Sequence, residues 1–263
     1  MDLIGPDGSQ DSRGFHTYAQ GAVRTSVMPQ FRKDLPVSAS LPDHTAFEQM
    51  LAKRFSCRAF LAEPVPDEII VRLFAAGQRT ASWCNTQPWQ AHLLSGEAAS
   101  RFGKELGEHV MLNEQSADLG LPEYAGQYDE RRRAAGYGLY SALGIDRADR
   151  EARGRQMFKN FSFFGAPHSA IITTDRALGA YGAVDCGGYV NTLTLGAQAL
   201  GLGVIAQGAI AMYSDFVRSW LDLSEDRLVV CAVSFGYADP EDPVNAFRTT
   251  RADVDGVLHR VDA

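Results

Sequence analysis

The stretch Ala183–Leu202, AVDCGGYVNTLTLGAQALGL, is apolar or small nearly all the way round a helical wheel. A helix with no polar face belongs inside a fold, so this segment predicts a buried helix. Its glycines Gly187, Gly188 and Gly196 weaken the helix locally but let another backbone pack closely against it. Around it lie strand-length apolar runs. HSAIITTD is framed by Pro167 and Asp175, VIAQG runs into a glycine turn, RLVVCAVSFGY reads as a buried strand, and QAHLLSG as a shorter one. Three helices are expected upstream. Asp43 caps one carrying Phe47, Met50 and Leu51. Pro66–Asp67 opens another with Ile69, Ile70, Leu73, Phe74 and Gly77 on one face, and GEAASRFGKELGEHV forms a third. Ser214 is expected to cap a fourth, DFVRSWL. Helices and strands alternate, which predicts an α/β or α+β fold with one central sheet.

Length and charge narrow the function. The chain has 263 residues, 25 Lys+Arg against 32 Asp+Glu, and a formal charge of -7. That suits one large domain or two small ones. Residues 1–43 are rich in Gly, Pro, Ser and Asp without a sustained period, and read as an N-terminal arm to a domain over 44–263. Within it, 112–157 reads as an insertion with some helix, and its Arg131–Arg132–Arg133 run as a solvated face. No apolar run approaches the roughly 20 residues of a membrane-spanning helix. The first residues lack the basic start and apolar stretch of a secretory signal, so a cytoplasmic location is expected. The acidic balance disfavours nucleic acid but not a small anion, since local charge decides that.

Several chemistries lack their motifs. Cys57, Cys84, Cys186 and Cys231 are scattered with no C-x-x-C pair, and read as reduced, mostly buried thiols rather than a metal or redox site. The six histidines are dispersed without ligand spacing, so no metal is expected. No G-x-G-x-x-G follows a strand, and there is no G-x-x-x-x-G-K-[ST], G-x-S-x-G or H-E-x-x-H.

Three segments stand out instead. Arg54-Phe55-Ser56-Cys57-Arg58 offers two guanidinium forks and a hydroxyl, donors suited to a phosphate and a second electron-rich group. Ser82-Trp83-Cys84-Asn85-Thr86-Gln87-Pro88-Trp89 crowds amides, hydroxyls and two tryptophans into a loop stiffened by Pro88, as a flat heteroaromatic ligand requires. Asn245-Ala246-Phe247-Arg248-Thr249-Thr250-Arg251 again sets arginine beside hydroxyls. The plainer readings are a basic helix terminus, a buried Trp89 anchoring a strand, and a solvated tail.

In this order, the segments carry a resemblance. Arg54 to Phe60 is similar to the Arg-x-Ser-x-Arg/Lys-x-Phe opening of the nitroreductase family of FMN-dependent oxidoreductases. Ser82 to Trp89 resembles its Ser-x-x-Asn-x-Gln-Pro-Trp. Gly201-Leu202-Gly203 with Ala206-Gln207-Gly208-Ala209 resembles its flavin-edge strand, and Ser234-Phe235-Gly236-Tyr237 with Arg248 to Asp255 its closing strand and tail. The resemblance implies an α+β fold, a central mixed or antiparallel sheet flanked by helices, in an intertwined homodimer with FMN at the subunit interface. It implies that Arg54, Phe55 and Ser56 bind the ribityl phosphate end with Arg251 and Arg248, and that Arg58 lies beside flavin N1 and O2. Ser82, Trp83 and Asn85 would reach the flavin from the partner, with Gln87 holding the loop. Gln207, Gly208 and Ala209 would pass the flavin edge with a backbone N–H toward N5, and Asn160 would meet the pyrimidine edge. The chain departs from the family pattern at Ala81 and Trp83, and a tryptophan there narrows the pocket. The implied activity is ping-pong reduction of small nitroaromatic or quinone-type acceptors by NADPH or NADH, with no catalytic side chain beyond the flavin. The alternatives are another acceptor (reductive dehalogenation or dehydrogenation) or FMN storage without turnover.

Overall fold

The computed structural model describes residues 42–261. The arm expected over 1–43 lies outside them except for its last two residues, which open α1 (Pro42–Lys53). Asp43 therefore sits in the first turn and not at the cap, where its carboxylate still complements the helix dipole. There follow α2 (Asp67–Gly77), β1 (Gln90–Ser95), α3 (Glu97–Leu112), α4 (Gly126–Ala142), α5 (Arg150–Phe158), β2 (His168–Asp175), α6 (Gly179–Ala199), β3 (Gly203–Gln207), α7 (Gly208–Ala211), α8 (Ser214–Leu221) and β4 (Arg227–Gly236).

The strands pair in the order β1-β2-β4-β3, every pair antiparallel. Of the two sheet types expected, the antiparallel one forms; a single parallel bridge, Ser56 to Val204, lies on the open edge of β3. Helices cover both faces, which is why β2 and β4 read as continuous apolar runs. On one face α2 and α6 bury Leu73, Tyr189 and Leu193 against Val233 and Phe235. On the other, α3 and α8 bury Phe102, Leu106 and Val217 against Ile171 and Val229. Each large side chain so buried contributes about 1.5–3 kcal/mol.

Three expectations are corrected. The long helix α6 begins four residues earlier than Ala183 and is not buried all round: Tyr181 and Val184 are 58% and 67% exposed, while Tyr189 and Leu193 are buried. One side of α6 meets α2 and the sheet, and α1 also touches it; the side carrying Tyr181 and Val184 is exposed among the described residues. Gly208 opens the short helix α7 where a turn was expected. Ser214 is the first residue of α8, not its cap. Its hydroxyl donates to the Ala211 carbonyl at 2.8 Å and accepts the Asp118 N–H. The 112–157 segment holds α4 and α5, and Arg132 and Arg133 there pair with Asp129 on an exposed face, as read. All four cysteines are free, but Cys84 is exposed. Burial pushes the Cys57 and Cys186 thiols up to about 11, which keeps them protonated and inert.

His168 ties the sheet to the chain before α2. It is 5% exposed; Nε2 accepts the Val65 N–H at 2.9 Å, so the proton sits on Nδ1, 2.8 Å from the Ser95 hydroxyl. Burial lowers its pKa, partly opposed by the charge of Asp67. The unfolded chain therefore holds more protons on this residue just below pH 6.5, the ordinary imidazole value, and stability falls as pH drops through that window. Thermal midpoints at pH 7.5 and 5.5 should differ more for the wild type than for His168→Gln, and an unchanged difference would remove His168 as the cause.

Candidate flavin-binding site

The open edge of β3 organises the site. After α1 the chain lays Cys57 against that edge, its N–H donating to the Val204 carbonyl at 3.0 Å. Gly203 permits the approach, because a Cβ there would lie 2.8 Å from the Cys57 sulfur and 3.0 Å from Ala238. The chain beyond β4 closes the other side through Leu61 N–H to Tyr237 and Asp239 N–H to Ala59, at 2.9 and 3.1 Å. Asn245 locks the two passes together. Its Oδ1 accepts the Arg58 N–H at 2.9 Å, and its Nδ2 donates to the Ala59 and Asp239 carbonyls at 2.8 Å. Sequence reading placed Asn245 in a motif but gave it no role; the signal was an amide beside arginines in a tail.

This brace brings the first and third arginine segments together. Arg54, Phe55, Ser56, Arg58, Phe247, Arg248, Thr249 and Arg251 line one cavity of about 290 Å³, closed by Leu51 and Ala52. Among the described residues its lining holds four arginines and two hydroxyl side chains, and no carboxylate. Arg58 donates to the Ser56 carbonyl at 3.0 Å, and burial lowers its pKa. Arg248 lies 4.0 Å over the Phe55 ring and donates to the Asn245 carbonyl at 2.6 Å; Arg251 donates to the Thr249 hydroxyl at 2.8 Å. Four cations gathered on one lining repel one another, and this local excess of positive charge in a chain of net charge -7 favours an anion. The donor set matches a phosphate dianion.

A wider cleft of about 800 Å³ shares Leu51, Ala52, Arg54 and Arg251 with this cavity. It is lined further by Glu48 of α1, by Val190, Asn191 and Thr194 of α6 and by Ala206 of β3, which gives room for a ring system beside the phosphate cradle. Gln207 is 2% exposed and its side chain turns inward. Its Nε2 donates to the Asn160 carbonyl at 2.9 Å, and its Oε1 accepts from the Ser234 hydroxyl at 2.5 Å. Gln207 thus braces the strand end, while Gly208 after it is exposed and Ala209 half-buried. The Asn160 amide donates to the Met157 carbonyl.

The loop 82–87 lines neither cavity. The Ser82 hydroxyl accepts the Gln87 N–H at 2.9 Å, Gln87 bonds Gln78, and the Trp83 N–H is held by Asp185 of α6 at 3.1 Å. Cys84, Asn85 and Gln87 all have positive φ, at 48°, 57° and 47°. Strain of that kind costs of order 1–3 kcal/mol per residue and gathers at functional sites. Trp89, in contrast, is buried and stacked on Tyr189 at 4.8 Å, the strand anchor that the plainer reading expected. Trp83 is 56% exposed, its ring 4.2 Å from Tyr181. Among the described residues, no three His, Cys, Asp or Glu side chains group as a metal centre, and no helix is long and apolar enough to cross a membrane.

An antiparallel sheet between helix layers, with an arginine cradle on its open edge, defines the class, and comparison with known proteins confirms it. The profile described as nitroreductase family matches residues 51–237, and the chain belongs to that family. It is 35% identical over 216 residues to the 4-nitrobenzoate reductase of Pseudomonas putida, covering 81% of this chain and 94% of that one. It is 33% identical over 220 residues to the nitroreductase NfnB of Mycolicibacterium smegmatis, covering 83% and 94%. Among solved structures, the FMN-dependent nitroreductase NfnB from Mycobacterium smegmatis in complex with NADPH superposes with a TM-score of 0.79 at 32% identity, over 83% of this chain and 99% of that one.

Proposed function

We propose that this chain is an FMN-dependent oxidoreductase that uses NADPH to reduce nitroaromatic or quinone-type acceptors, working as a homodimer. The observation that carries the reading is the cavity on the β3 edge, whose described lining holds four arginines and no carboxylate, in a chain similar along most of its length to FMN- and NADPH-dependent nitroreductases. Bound FMN would supply two-electron transfer, so that a nitro group, NADPH and a proton give a nitroso group, NADP+ and water. The protein binds, orients and tunes.

Arg54, Ser56, Arg248 and Arg251 hold the phosphate beside Phe55, and Arg58 places positive charge beside the pyrimidine end of the ring, which Asn160 flanks. Gln207 fixes the strand end, so that the backbone of Gly208 and Ala209 meets the flavin edge. Ser82, Trp83 and Asn85, with Gln87 holding their loop, complete the site of a second copy. The exposure of that loop and of the adjoining apolar side of α6, with Tyr181 and Val184, supports this sharing. The domain over 44–263 carries all of these residues. A cytoplasmic location, where NADPH is supplied, accompanies the reading.

A cation stabilises a reduced, negatively charged ring more than an oxidised one, by roughly 1.5–3 kcal/mol for a charge-assisted contact. Arg58→Ala should therefore lower the two-electron potential of bound FMN by about 30–65 mV, read by equilibration with a reference dye. A potential unmoved within error would refute the role.

Steady-state kinetics test the function. NADPH and nitrobenzene varied together should give parallel reciprocal plots, the ping-pong pattern of one site used in turn. Flavin-loaded protein that consumes no NADPH with any nitroarene or quinone would overturn the proposal.

A further inference from the structure

The loop between α2 and β1 is exposed from Trp83 to Gln87 and strained over the same stretch. Cys84, Asn85 and Gln87 hold positive φ although none is glycine. Such conformations persist only where the surroundings over-determine them. The Asn85 side chain is exposed, and its amide bonds no group among the described residues. The shape of the loop thus leaves an amide free for a partner outside the chain.

Two anchors hold that shape. At the far end the Gln87 amide donates to the Asn85 carbonyl at 3.3 Å and accepts from Gln78 at 2.9 Å. Gln78, just beyond α2, in turn accepts from the ring N–H of buried Trp89 at 3.0 Å. At the near end stands one side chain of α6. Both carboxylate oxygens of Asp185, in the second turn of that helix, accept the Trp83 N–H, at 3.1 and 3.2 Å. An ionised acceptor makes the stronger kind of hydrogen bond. No Lys or Arg pairs with Asp185 among the described residues. One turn earlier, the Tyr181 ring centroid lies 4.2 Å from that of Trp83, and a cavity of about 120 Å³ separates loop and helix. Further along, α6 buries Tyr189 and Leu193 in the core, so Asp185 is carried on a fixed base.

We infer that Asp185 is the positioning residue of this loop, holding Trp83 and Asn85 in the shape that completes the flavin site of a second copy. The inference rests on the reading above, in which the loop serves the partner's flavin. Without the carboxylate the Trp83 backbone is released, and the strained residues after it relax toward negative φ. Asn85 then no longer stands where a ligand of the second copy meets it. The effect of Asp185 is therefore felt at a cradle that its own chain does not supply.

FMN titration followed by flavin fluorescence tests this on whole dimers. Asp185→Ala should bind FMN at least about 5-fold more weakly than the wild type, while Asp185→Asn, whose amide oxygen still accepts the Trp83 N–H, should stay within about 2-fold. Equal losses in the two variants would assign the effect to charge and overturn the positioning role. The mixed dimer of one Arg54→Ala copy and one Asp185→Ala copy, purified through two different tags, separates the remaining cases. With Asp185 acting across the interface, both lesions fall in one site, and the other site keeps wild-type affinity for FMN. With Asp185 merely supporting its own chain, each site carries one lesion and neither binds like the wild type, which would overturn the inference. A wild-type protein that stays monomeric or takes up no FMN would instead overturn the functional reading on which it stands.

Discussion

Arg54→Ala should weaken FMN binding by roughly 10- to 100-fold, the largest functional effect expected of any single change. The residue lines both the arginine cavity and the adjoining cleft, where phosphate and ring would meet. A hydrogen bond to a charged group contributes about 1.5–3 kcal/mol, and each 1.4 kcal/mol is tenfold in affinity. Arg251 borders the same two cavities, so the double variant Arg54→Ala/Arg251→Ala should lose less than the product of the single losses, since both bind one ligand group. Arg54→Lys keeps the charge but not the planar fork, and should fall between wild type and alanine. Quenching of flavin fluorescence on titration reads the wild type, the two single alanine variants, the double variant and Arg54→Lys. Wild-type affinity in Arg54→Ala would show that the phosphate is held elsewhere.

Asp118→Asn should cost about 3 kcal/mol of stability, the largest structural effect expected. It leaves Arg218, 6% exposed in its side chain, without its main buried counter-charge. Removing one member of a buried pair typically costs 3–5 kcal/mol, because the surviving charge stays desolvated. Asp215 and Glu225 still face Arg218 from exposed positions, which places the effect at the low end of that range. For a domain of this size 1 kcal/mol shifts the thermal midpoint by about 2–4 °C, so a fall of roughly 6–12 °C follows. Asp118→Asn/Arg218→Met should recover most of it: the amide still accepts from Val229, and no buried charge is left. If the single variant melts with the wild type, the pair does not stabilise the fold.

What could be read in advance, and what could not, divides by the range of the interaction. β2 was legible to the residue because HSAIITTD is bounded by local signals at both ends. The arginine segments were legible because each is a short motif whose donors stand near each other in the chain. The pairing of Asp118 with Arg218 spans a hundred residues, and neither neighbourhood marks it. Asn245 was visible as part of a motif, but its work is to clamp backbone 186 residues away. The apolar circumference of α6 signalled a helix that packs, but periodicity does not say what covers each side; among the described residues the side with Tyr181 and Val184 stays exposed. Positive φ at Cys84 and Gln87 was hidden because neither is a residue type that favours it. Gln207 was placed on the right strand, while the inward turn of its side chain depends on Ser234 of β4, a neighbour only in the folded sheet.

The central claim is that stretches far apart in this chain converge on the β3 edge to hold a flavin whose ring remains open to a nicotinamide. Anaerobic titration tests it most directly: the apoprotein is saturated with FMN, freed of excess, and treated with NADPH while the flavin absorbance is followed. Retention of one FMN per chain, bleaching by one equivalent of NADPH, and return of the colour on adding nitrobenzene are the results expected. A protein that retains no FMN, or whose bound flavin NADPH does not bleach, would contradict the account.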